Sequence, residues 1–270
     1  MNWSRAKNIL IIFLLCTSVF MLMVIFRSEY KRTKVPEAVI NSAVSLLLTN
    51  DIQINPSLIS NQTSAQKIYS VENMITDYHE FATLVLDGEL IPTDTGYSGK
   101  DSLINYNGDY FEIIFTNGVE TSSNLKSPSE KAKSLLQSFG IDVSDSKVEV
   151  NNDAKGIFTV SYIQSIDKLP FFDCKLSVEL DKSKIISIRG SWFKNYTPET
   201  SAVLESIPGL LVRAATTNSD LHGKEITSLE IGYAVDESDT GIYHKQTTII
   251  PMLAIKTSDN STYYIDARDK

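Results

Sequence analysis

The fold class is decided by residues 127–140, which read SPSEKAKSLLQSFG. Ser127 and Glu130 have the spacing of a capping box, in which each side chain bonds a backbone N–H of the first helical turn. Pro128 suits the first turn of a helix, and Gly140 suits its end. Apolar residues recur between them at helical spacing: Ala132, Leu135, Leu136 and Phe139. The stretch therefore predicts an amphipathic helix.

Antiparallel strands are predicted directly after this helix. Three apolar, β-branched runs follow at Gly156 to Gln164, Phe171 to Leu180 and Lys184 to Phe193, and the turn at Asp181-Lys182-Ser183 joins the last two. A second unit of the same kind is predicted at 197–267. There Thr197-Pro198 opens a helical region that Pro208 interrupts and that runs to about Thr217. Strands follow at Glu225 to Val235, Thr247 to Lys256 and Thr262 to Asp266.

The region before residue 127 shows a looser version of the same scheme. It begins with a helix from Pro36 whose apolar stripe is Val39, Ile40, Ala43, Val44, Leu47 and Leu48. A strand over Asp51 to Ile59 and a second helix from about Val71 to Leu86 follow. Asn107-Gly108, between two apolar runs, predicts a hairpin. Together these elements predict an α+β protein in which helices pack on antiparallel sheets.

A transmembrane helix is predicted at the N-terminus. The 18 residues from Ile9 to Phe26 carry no charge, and 13 of them are Ile, Leu, Phe or Val. As a helix they span about 27 Å, close to the hydrocarbon thickness of a bilayer. The run ends at Phe26-Arg27 without the small residues of a signal-peptidase site, which indicates an uncleaved anchor. Cys16, Thr17 and Ser18 interrupt the aliphatic run near its middle, and small polar residues at that depth commonly face another helix.

These observations predict four regions. Residues 1–7 form a short polar tip, 8–26 the anchor, 27–125 a juxtamembrane and N-terminal α+β region, and 126–270 a C-terminal α+β domain with helix-meander units at 128–194 and 197–267. The basic residues do not settle the orientation. Two basic residues precede the helix and four follow it within residues 27–34. Because an excess of Lys and Arg marks the cytoplasmic side, this count favours a cytoplasmic C-terminal side. The short N-terminal tail favours the opposite orientation.

Composition excludes several classes of function. The chain has 25 basic and 33 acidic residues, a net charge of −8. This charge argues against broad nucleic-acid affinity, since that depends on Lys and Arg neutralising phosphates.

The two cysteines are not expected to form a disulfide. Cys16 lies in the anchor and Cys174 in a predicted strand, so the two cannot pair. Cys174 itself is predicted to be a small buried core residue.

No catalytic constellation is evident. The three histidines, His79, His222 and His244, are far apart in sequence and lack the spacing of a zinc site. Gly96-Tyr97-Ser98-Gly99-Lys100 lacks the spacing of a phosphate-binding loop and is interpreted as an ordinary loop. The acidic residues at 236–239 are interpreted as a solvated hairpin tip. The sequence therefore predicts no enzyme, no metal and no cofactor, although a pair of carboxylates acting on a glycan is not excluded.

Aromatic residues concentrate in the predicted strands, and several are adjacent pairs: Phe171-Phe172, Trp192-Phe193 and Tyr263-Tyr264. Neighbours in a strand point to opposite faces of the sheet. If one face is exposed to solvent, one member of each pair is exposed too, and Phe172, Trp192 and Tyr263 are the candidate surface aromatics. Coverage of both faces by helices or by a neighbouring subdomain is an equally good interpretation.

Several segments resemble the YycI (WalI) family, membrane-anchored accessory proteins of the YycG/YycF (WalK/WalR) two-component system of Firmicutes. The resemblance begins at Trp3-Ser4-Arg5-Ala6-Lys7 directly before the apolar run. It continues at Ser161-Tyr162-Ile163-Gln164, Leu169-Pro170-Phe171-Phe172, Lys175-Leu176-Ser177-Val178, Glu230-Ile231-Gly232-Tyr233, Pro251-x-x-Ala254-Ile255 and Tyr263-Tyr264-Ile265-Asp266-Ala267.

This resemblance implies a cytoplasmic N-terminus and an extracellular C-terminal domain in the cell membrane. It also implies a non-enzymatic regulator of a sensor histidine kinase that controls cell-wall homeostasis, acting with a YycH-like single-pass partner through transmembrane and extracellular contacts. The alternative is an anchored extracellular wall- or ligand-binding module without a kinase partner, which a groove of exposed aromatics would favour. An anchored hydrolase is a third hypothesis.

Overall fold

The structure, a computed structural model, describes residues 7, 11, 13–23, 34–61, 65–120, 127–182, 184–236 and 246–269. The chain forms two compact units. The first unit contains Met1–Gln66, Val203–Glu230 and Ala254–Lys270, and the second contains Lys67–Ala202 and Ile231–Leu253. This division differs from the predicted boundary at residue 125, because segments distant in sequence pack together in each unit.

Four named helices lie in the described part of the chain: α1 (Glu37–Thr49), α2 (Tyr78–Val85), α3 (Pro128–Ser138) and α4 (Ile207–Thr217). Short 3-10 helices occur at Pro56–Leu58 and Ser219–Leu221. Residues 13–23 are helical as well. Within the described residues, no helix combines the length and the apolarity needed to cross a membrane. The remainder of the predicted anchor and its basic flank, residues 8–10, 12 and 24–33, lies outside the described residues.

Fourteen strands make up the sheet structure of the described residues: β1 (Gln53–Ile54), β2 (Ala65–Asn73), β3 (Ile91–Pro92), β4 (Gly96–Ser98), β5 (Ser102–Asn107), β6 (Tyr110–Glu120), β7 (Lys147–Asn152), β8 (Ile157–Ile166), β9 (Leu169–Asp181), β10 (Lys184–Ser191), β11 (Phe193–Val203), β12 (Glu225–Val235), β13 (Gln246–Thr257) and β14 (Thr262–Asp266). With the helices, they confirm the predicted α+β class.

The second unit contains an antiparallel run of strands in the order β7-β8-β9-β10-β6-β5-β4-β3. Strands β11, β2, β13 and β12 follow one another in that order, and Tyr233 of β12 pairs in parallel with Phe171 of β9. The hairpin predicted at Asn107-Gly108 is confirmed, since β5 and β6 pair from Ser102↔Phe115 to Asn107↔Tyr110.

The core of the second unit follows from strand alternation. One row of residues crosses five neighbouring strands, and all five are fully buried: Ile104, Ile113, Ile188, Val178 and Val160. Each such side chain contributes about 1.5–3 kcal/mol by leaving water. Helix α3 packs against β7 and β8, and α2 packs against β4, so this row lies on the face that the helices cover.

Helix α3 begins with the predicted capping box. The Ser127 hydroxyl accepts a hydrogen bond from Glu130 N at 3.2 Å, and Glu130 Oε2 accepts one from Ser127 N at 3.2 Å. We expect Ser127→Ala to destabilise the folded chain by about 1 kcal/mol, since an orphan N–H of the first turn loses its acceptor. The measurement is urea unfolding followed by circular dichroism. Ser134→Ala, an exposed position on the same helix, is the control. Equal losses for both variants would contradict the role of the cap.

The first unit is built on a helix pair and short strand pairings. Helix α1 packs against α4 and β1. Strand β1 pairs in parallel with β12 through Gln53↔Glu225 and Ile54↔Ile226. The buried face of α1 is narrower than the predicted apolar stripe. Ala43 and Leu47 are buried, whereas Leu48 is 54% exposed.

The helix predicted over Val71 to Leu86 is wrong in its first half. Residues 65–73 form β2, in which Tyr69 pairs with Ile249 and Val71 with Thr247 of β13. The helix begins only after Asp77, whose carboxylate accepts hydrogen bonds from His79 N at 2.9 Å and Glu80 N at 3.0 Å. A partner strand distant in sequence therefore overrides the local helical spacing.

The helix predicted from Thr197 is also wrong in its first half. Phe193–Val203 is strand β11. Helix α4 begins after Ser206, whose hydroxyl accepts a hydrogen bond from Gly209 N at 3.3 Å. Pro208 therefore lies in the first turn, where a missing N–H costs nothing, and does not interrupt the helix.

Candidate functional site

The described part of the predicted anchor presents apolar side chains to the surface. Phe13, Phe20 and Met23 are each 66% exposed. Cys16, a free thiol, and its neighbours Thr17 and Ser18 are exposed as well. The Thr17 hydroxyl donates to Phe13 O at 3.0 Å and to Leu14 O at 2.9 Å. Because the helix itself satisfies this hydroxyl, Thr17 is compatible with an apolar environment.

The assignment of Trp192 as a surface aromatic is wrong, because its side chain is only 5% exposed. Alternation of faces requires a continuous strand, and here β10 ends at Ser191 while β11 begins at Phe193. Phe193 is buried too, with its ring 5.3 Å from that of Phe171. Trp192 O accepts a hydrogen bond from Met74 N at 2.9 Å, which fixes the chain at this break.

Phe172 is half-buried and lies over Gly232 of β12. A Cβ atom at Gly232 would fall 2.5 Å from Phe172 Cζ and 2.5 Å from Pro170 O, so glycine is required at this close approach. The ring thus occupies the space of a missing side chain. Only part of its surface is available to a partner.

Tyr263 is half-buried and is held by polar contacts in the first unit. Its hydroxyl accepts from Lys224 Nζ at 2.5 Å and donates to Asp220 O at 3.2 Å. Lys224 Nζ also lies 2.8 Å from Asp259 Oδ2. The phenol therefore has a structural role, and little of it is left for binding.

Cys174 is confirmed as a buried residue, with a relative exposure of 0%. Its thiol donates to Gln164 Oε1 at 2.6 Å and contacts Ser191 O at 3.2 Å. Burial raises the pKa of this thiol well above its ordinary value. The protonated thiol is not poised as a nucleophile.

The candidate polar centres do not assemble into a metal site in the described residues. No three His, Cys, Asp or Glu side chains lie together there in a way that could hold a metal ion. His79 places its ring edge-on to Tyr97 at 5.6 Å, and His222 Nε2 lies 3.0 Å from Ala215 O. His244 and residues 237–239 of the acidic tip lie outside the described residues.

The structure contains an aromatic cleft that the sequence does not indicate. A cleft of about 630 Å³ in the second unit, here called the tyrosine cleft, is lined by Tyr78, Pro92, Thr93, Asp94, Thr95, Gly96, Tyr97, Tyr106, Asn107 and Gly108. The rings of Tyr78 and Tyr106 stack, with centroids 4.3 Å apart and planes 22° apart. The interpretation of 96–100 as an ordinary loop is wrong in its first part, because Gly96–Ser98 is strand β4.

Hydrogen bonds hold the two stacked rings of the tyrosine cleft. The Tyr78 hydroxyl donates to Gly108 O at 2.9 Å, and the Tyr106 hydroxyl donates to Tyr78 O at 3.0 Å. Burial, followed by the neighbouring Tyr97, raises the pKa of Tyr106 well above its ordinary value. The Tyr106 phenol therefore stays neutral, and the hydrogen bonds hold both rings in place.

Buried tyrosines predict a loss of stability at alkaline pH. Burial raises the pKa of Tyr162 and of Tyr233 to about 12. An unfolded tyrosine loses its proton near pH 10, whereas these two hold theirs to about pH 12 in the folded chain. Their contribution is therefore complete below pH 10 and is lost as the pH rises towards 12. We expect the free energy of unfolding, measured by urea titration, to fall between pH 10 and 12.

The matched variant is Tyr162→Phe. It removes the hydrogen bond from the hydroxyl to Ser129 O at 2.8 Å, which costs about 1 kcal/mol at pH 9. It also removes one ionising group, so its stability should fall less steeply above pH 10. An identical slope for variant and parent would contradict the assignment.

These observations define the class as an α+β protein with extensive antiparallel sheet, four named helices among its described residues and an apolar N-terminal helical segment. No protein-family model and no curated protein matches the chain. Among solved structures, the chain is similar to the crystal structure of YycH from Bacillus subtilis, with a TM-score of 0.46 and 10% sequence identity. The alignment covers 75% of this chain and 53% of that one, so the chain spans about half the length of YycH.

Proposed function

We propose that this protein is a non-enzymatic, membrane-anchored regulator of a sensor histidine kinase of the YycG (WalK) type, which controls cell-wall homeostasis. A YycH-like single-pass protein is its second proposed partner. The observation that carries the proposal is the helical segment 13–23, whose large apolar side chains are exposed. The resemblance of the sequence to the YycI family supports it.

An exposed apolar helix is costly in water. Leu14, Leu15 and Met21 are 53–66% exposed, as are Phe13, Phe20, Leu22 and Met23. Each such side chain gains about 1.5–3 kcal/mol when it is transferred to an apolar environment. A bilayer, a partner helix or both must therefore cover this segment. The uncharged run Ile9 to Phe26 has the length for a bilayer.

The proposed topology places the N-terminus in the cytoplasm and both compact units outside the cell. The resemblance to the YycI family implies this orientation.

The proposed mechanism is a bias on two conformations of the kinase. A regulator shifts such an equilibrium only by binding one conformation more tightly than the other. Helix contacts within the membrane supply that difference through close packing at small residues, here Cys16, Thr17 and Ser18. A difference of about 1.4 kcal/mol changes the ratio of the two conformations tenfold.

Replacement of the anchor tests the proposal. When Ile9–Phe26 is exchanged for an unrelated apolar helix, we expect loss of kinase regulation, measured with a transcriptional reporter, while membrane fractionation is unchanged. The control is the same unrelated helix with Cys16, Thr17 and Ser18 restored at their original depth, which should recover part of the regulation. Unchanged signalling after the first exchange would refute the helix-contact mechanism.

Photocrosslinking in native membranes identifies the partner. A photoreactive residue is placed at Cys16, Thr17 or Ser18 in turn, and adducts are identified by mass spectrometry. Leu22 is the control position for Cys16 and Thr17, since it lies about 120° and 140° around the helix from them, and Val19 is the control for Ser18, about 100° away. A histidine kinase trapped at one of the three positions and not at its control position would support the proposal. Lipid adducts alone at all three positions would contradict it.

A further inference from the structure

We propose that the tyrosine cleft binds a saccharide, with a pyranose ring lying against its tyrosine surface. The inference is independent of the regulatory proposal, since it concerns a binding site in the second unit and holds with or without a kinase partner. It rests on the shape of the cleft, on the fixed rings and on the polar groups around them.

The volume and the lining are those of a small-molecule site. About 630 Å³ falls within the range of roughly 300–1,000 Å³ that ligand pockets occupy. Three tyrosines line the cleft, and the hydroxyls of Tyr78 and Tyr106 both bond backbone carbonyl oxygens. What these two rings offer to the cleft is therefore apolar ring surface held in a fixed orientation. The C–H face of a pyranose ring packs on such a surface.

Polar residues line the same cleft. Asp94 and Asn107 are exposed and line it, as does Thr93. A carboxylate, an amide and a hydroxyl are the groups that bond the rim of hydroxyls around a sugar ring. A lining that combines tyrosine rings with polar groups therefore matches a pyranose better than it matches an entirely apolar ligand.

The loop that carries Asp94 is held against the sheet. Thr93 N donates to Gly96 O at 3.0 Å, and Tyr106 N donates to Thr95 O at 2.8 Å. A Cβ atom at Gly96 would fall 1.9 Å from Ile104 O, so only glycine allows this approach. The cleft is therefore largely preformed, which lowers the entropic cost of binding.

The ring geometry argues against a cationic ligand. An aromatic cage for an ammonium group encloses the cation with rings at steep angles, whereas Tyr78 and Tyr106 are nearly parallel, 22° apart. Their stacked arrangement leaves a surface and not a box. A flat, neutral ligand fits that surface better.

The test is isothermal titration of the full chain in lipid nanodiscs with tetra-N-acetylchitotetraose. We expect saturable binding at one site. Asp94→Ala, on the exposed loop, and Tyr97→Ala should each weaken the affinity about tenfold, whereas Tyr97→Phe should stay within about twofold because it keeps the ring. Tyr110→Ala is the control, since Tyr110 is 41% exposed and does not line the cleft.

Each outcome is decisive. Circular dichroism shows which variants are folded. If Tyr97→Ala does not fold, Asp94→Ala still tests the cleft. Saturable binding weakened by the cleft variants and not by Tyr110→Ala supports the proposal. Absence of saturable binding overturns it, as does binding that Asp94→Ala and Tyr97→Ala both leave unchanged. Binding of a free wall stem peptide, with none of the saccharide, also overturns it.

Discussion

Gly190→Ala is expected to destabilise the folded chain by about 3 kcal/mol or more. Gly190 lies in β10 between Phe111 of β6 and Leu176 of β9, and its φ is 140°. A Cβ atom there would fall 1.9 Å from Lys175 O. The two neighbouring strands prevent the backbone from moving away. The free-energy cost of the strained φ and the cost of the steric overlap with Lys175 O therefore add. Urea unfolding followed by the fluorescence of buried Trp192 is the measurement.

Gly156→Ala is the matched control for Gly190→Ala. Gly156 also has a positive φ, 83°, but nothing lies within 4 Å of the position of its missing Cβ. Gly156→Ala should lower the free energy of unfolding only by the cost of a residue with a Cβ atom at positive φ, about 1–2 kcal/mol. If the two variants lost the same stability, steric overlap at Gly190 would not be the cause.

Gln164→Leu is expected to cost about 2–4 kcal/mol, although leucine fills a similar volume. The antiparallel ladder between β8 and β9 is interrupted after Ile163↔Lys175 and resumes at Ser165↔Pro170. At this gap the Gln164 side-chain amide makes the two hydrogen bonds to the Phe193 backbone that a neighbouring strand would otherwise make. Its Nε2 donates to Phe193 O at 2.8 Å, and its Oε1 accepts from Phe193 N at 3.3 Å and from the Cys174 thiol at 2.6 Å.

The cost of Gln164→Leu comes from the buried groups left behind. Phe193 O keeps a hydrogen bond from the Tyr196 hydroxyl at 3.0 Å, and the Cys174 thiol keeps Ser191 O as an acceptor at 3.2 Å. Phe193 N loses the Gln164 acceptor. Unfolding free energies measured in urea give the loss. Gln137→Leu, at an exposed position of α3, should stay within about 0.5 kcal/mol. A neutral effect at Gln164 would mean that the chain around Phe193 rearranges to satisfy its own N–H.

Elements with strong local signals could be predicted from the sequence. The capping box at Ser127 and the hairpin at Asn107-Gly108 are stabilised by groups within a few residues of each other, so their spacing is visible in the chain itself. Strand β12 was predicted with its observed bounds, Glu225–Val235, and β14 with its bounds, Thr262–Asp266. Strand β7 was missed, because its polar residues leave only Val148 and Val150 as an apolar signal.

Elements that depend on distant partners could not be predicted in the same way. Val71 has helical spacing to Ile75 and Tyr78, but its backbone pairs with Thr247. Spacing within a window of some 15 residues contains no information about a strand 176 positions away. The Asp77 cap and the Glu80 that follows it were available as local signals for the later start of α2.

Surface aromatics were harder to predict than strands. Trp192 is a candidate surface aromatic only if the strand is continuous and one face of the sheet is exposed, and the end of β10 at Ser191 removes the first condition. The tyrosine cleft was missed for the opposite reason. Its rings come from α2, β4 and β5, and only the packing of α2 against β4 brings Tyr78 and His79 to Tyr106 and Tyr97.

The interleaved segments of the first unit have a consequence for biogenesis. Leu47 and Ile52 are buried in that unit, which also needs Val203–Glu230 and Ala254–Lys270. At synthesis rates of about 5–20 residues per second, the chain from Gln66 to Ala254 takes roughly 10–40 s to make. During that time the early segment has no complete core to join. Folding of this protein should therefore depend on a chaperone that shields residues 34–61 until the last segment has been synthesised.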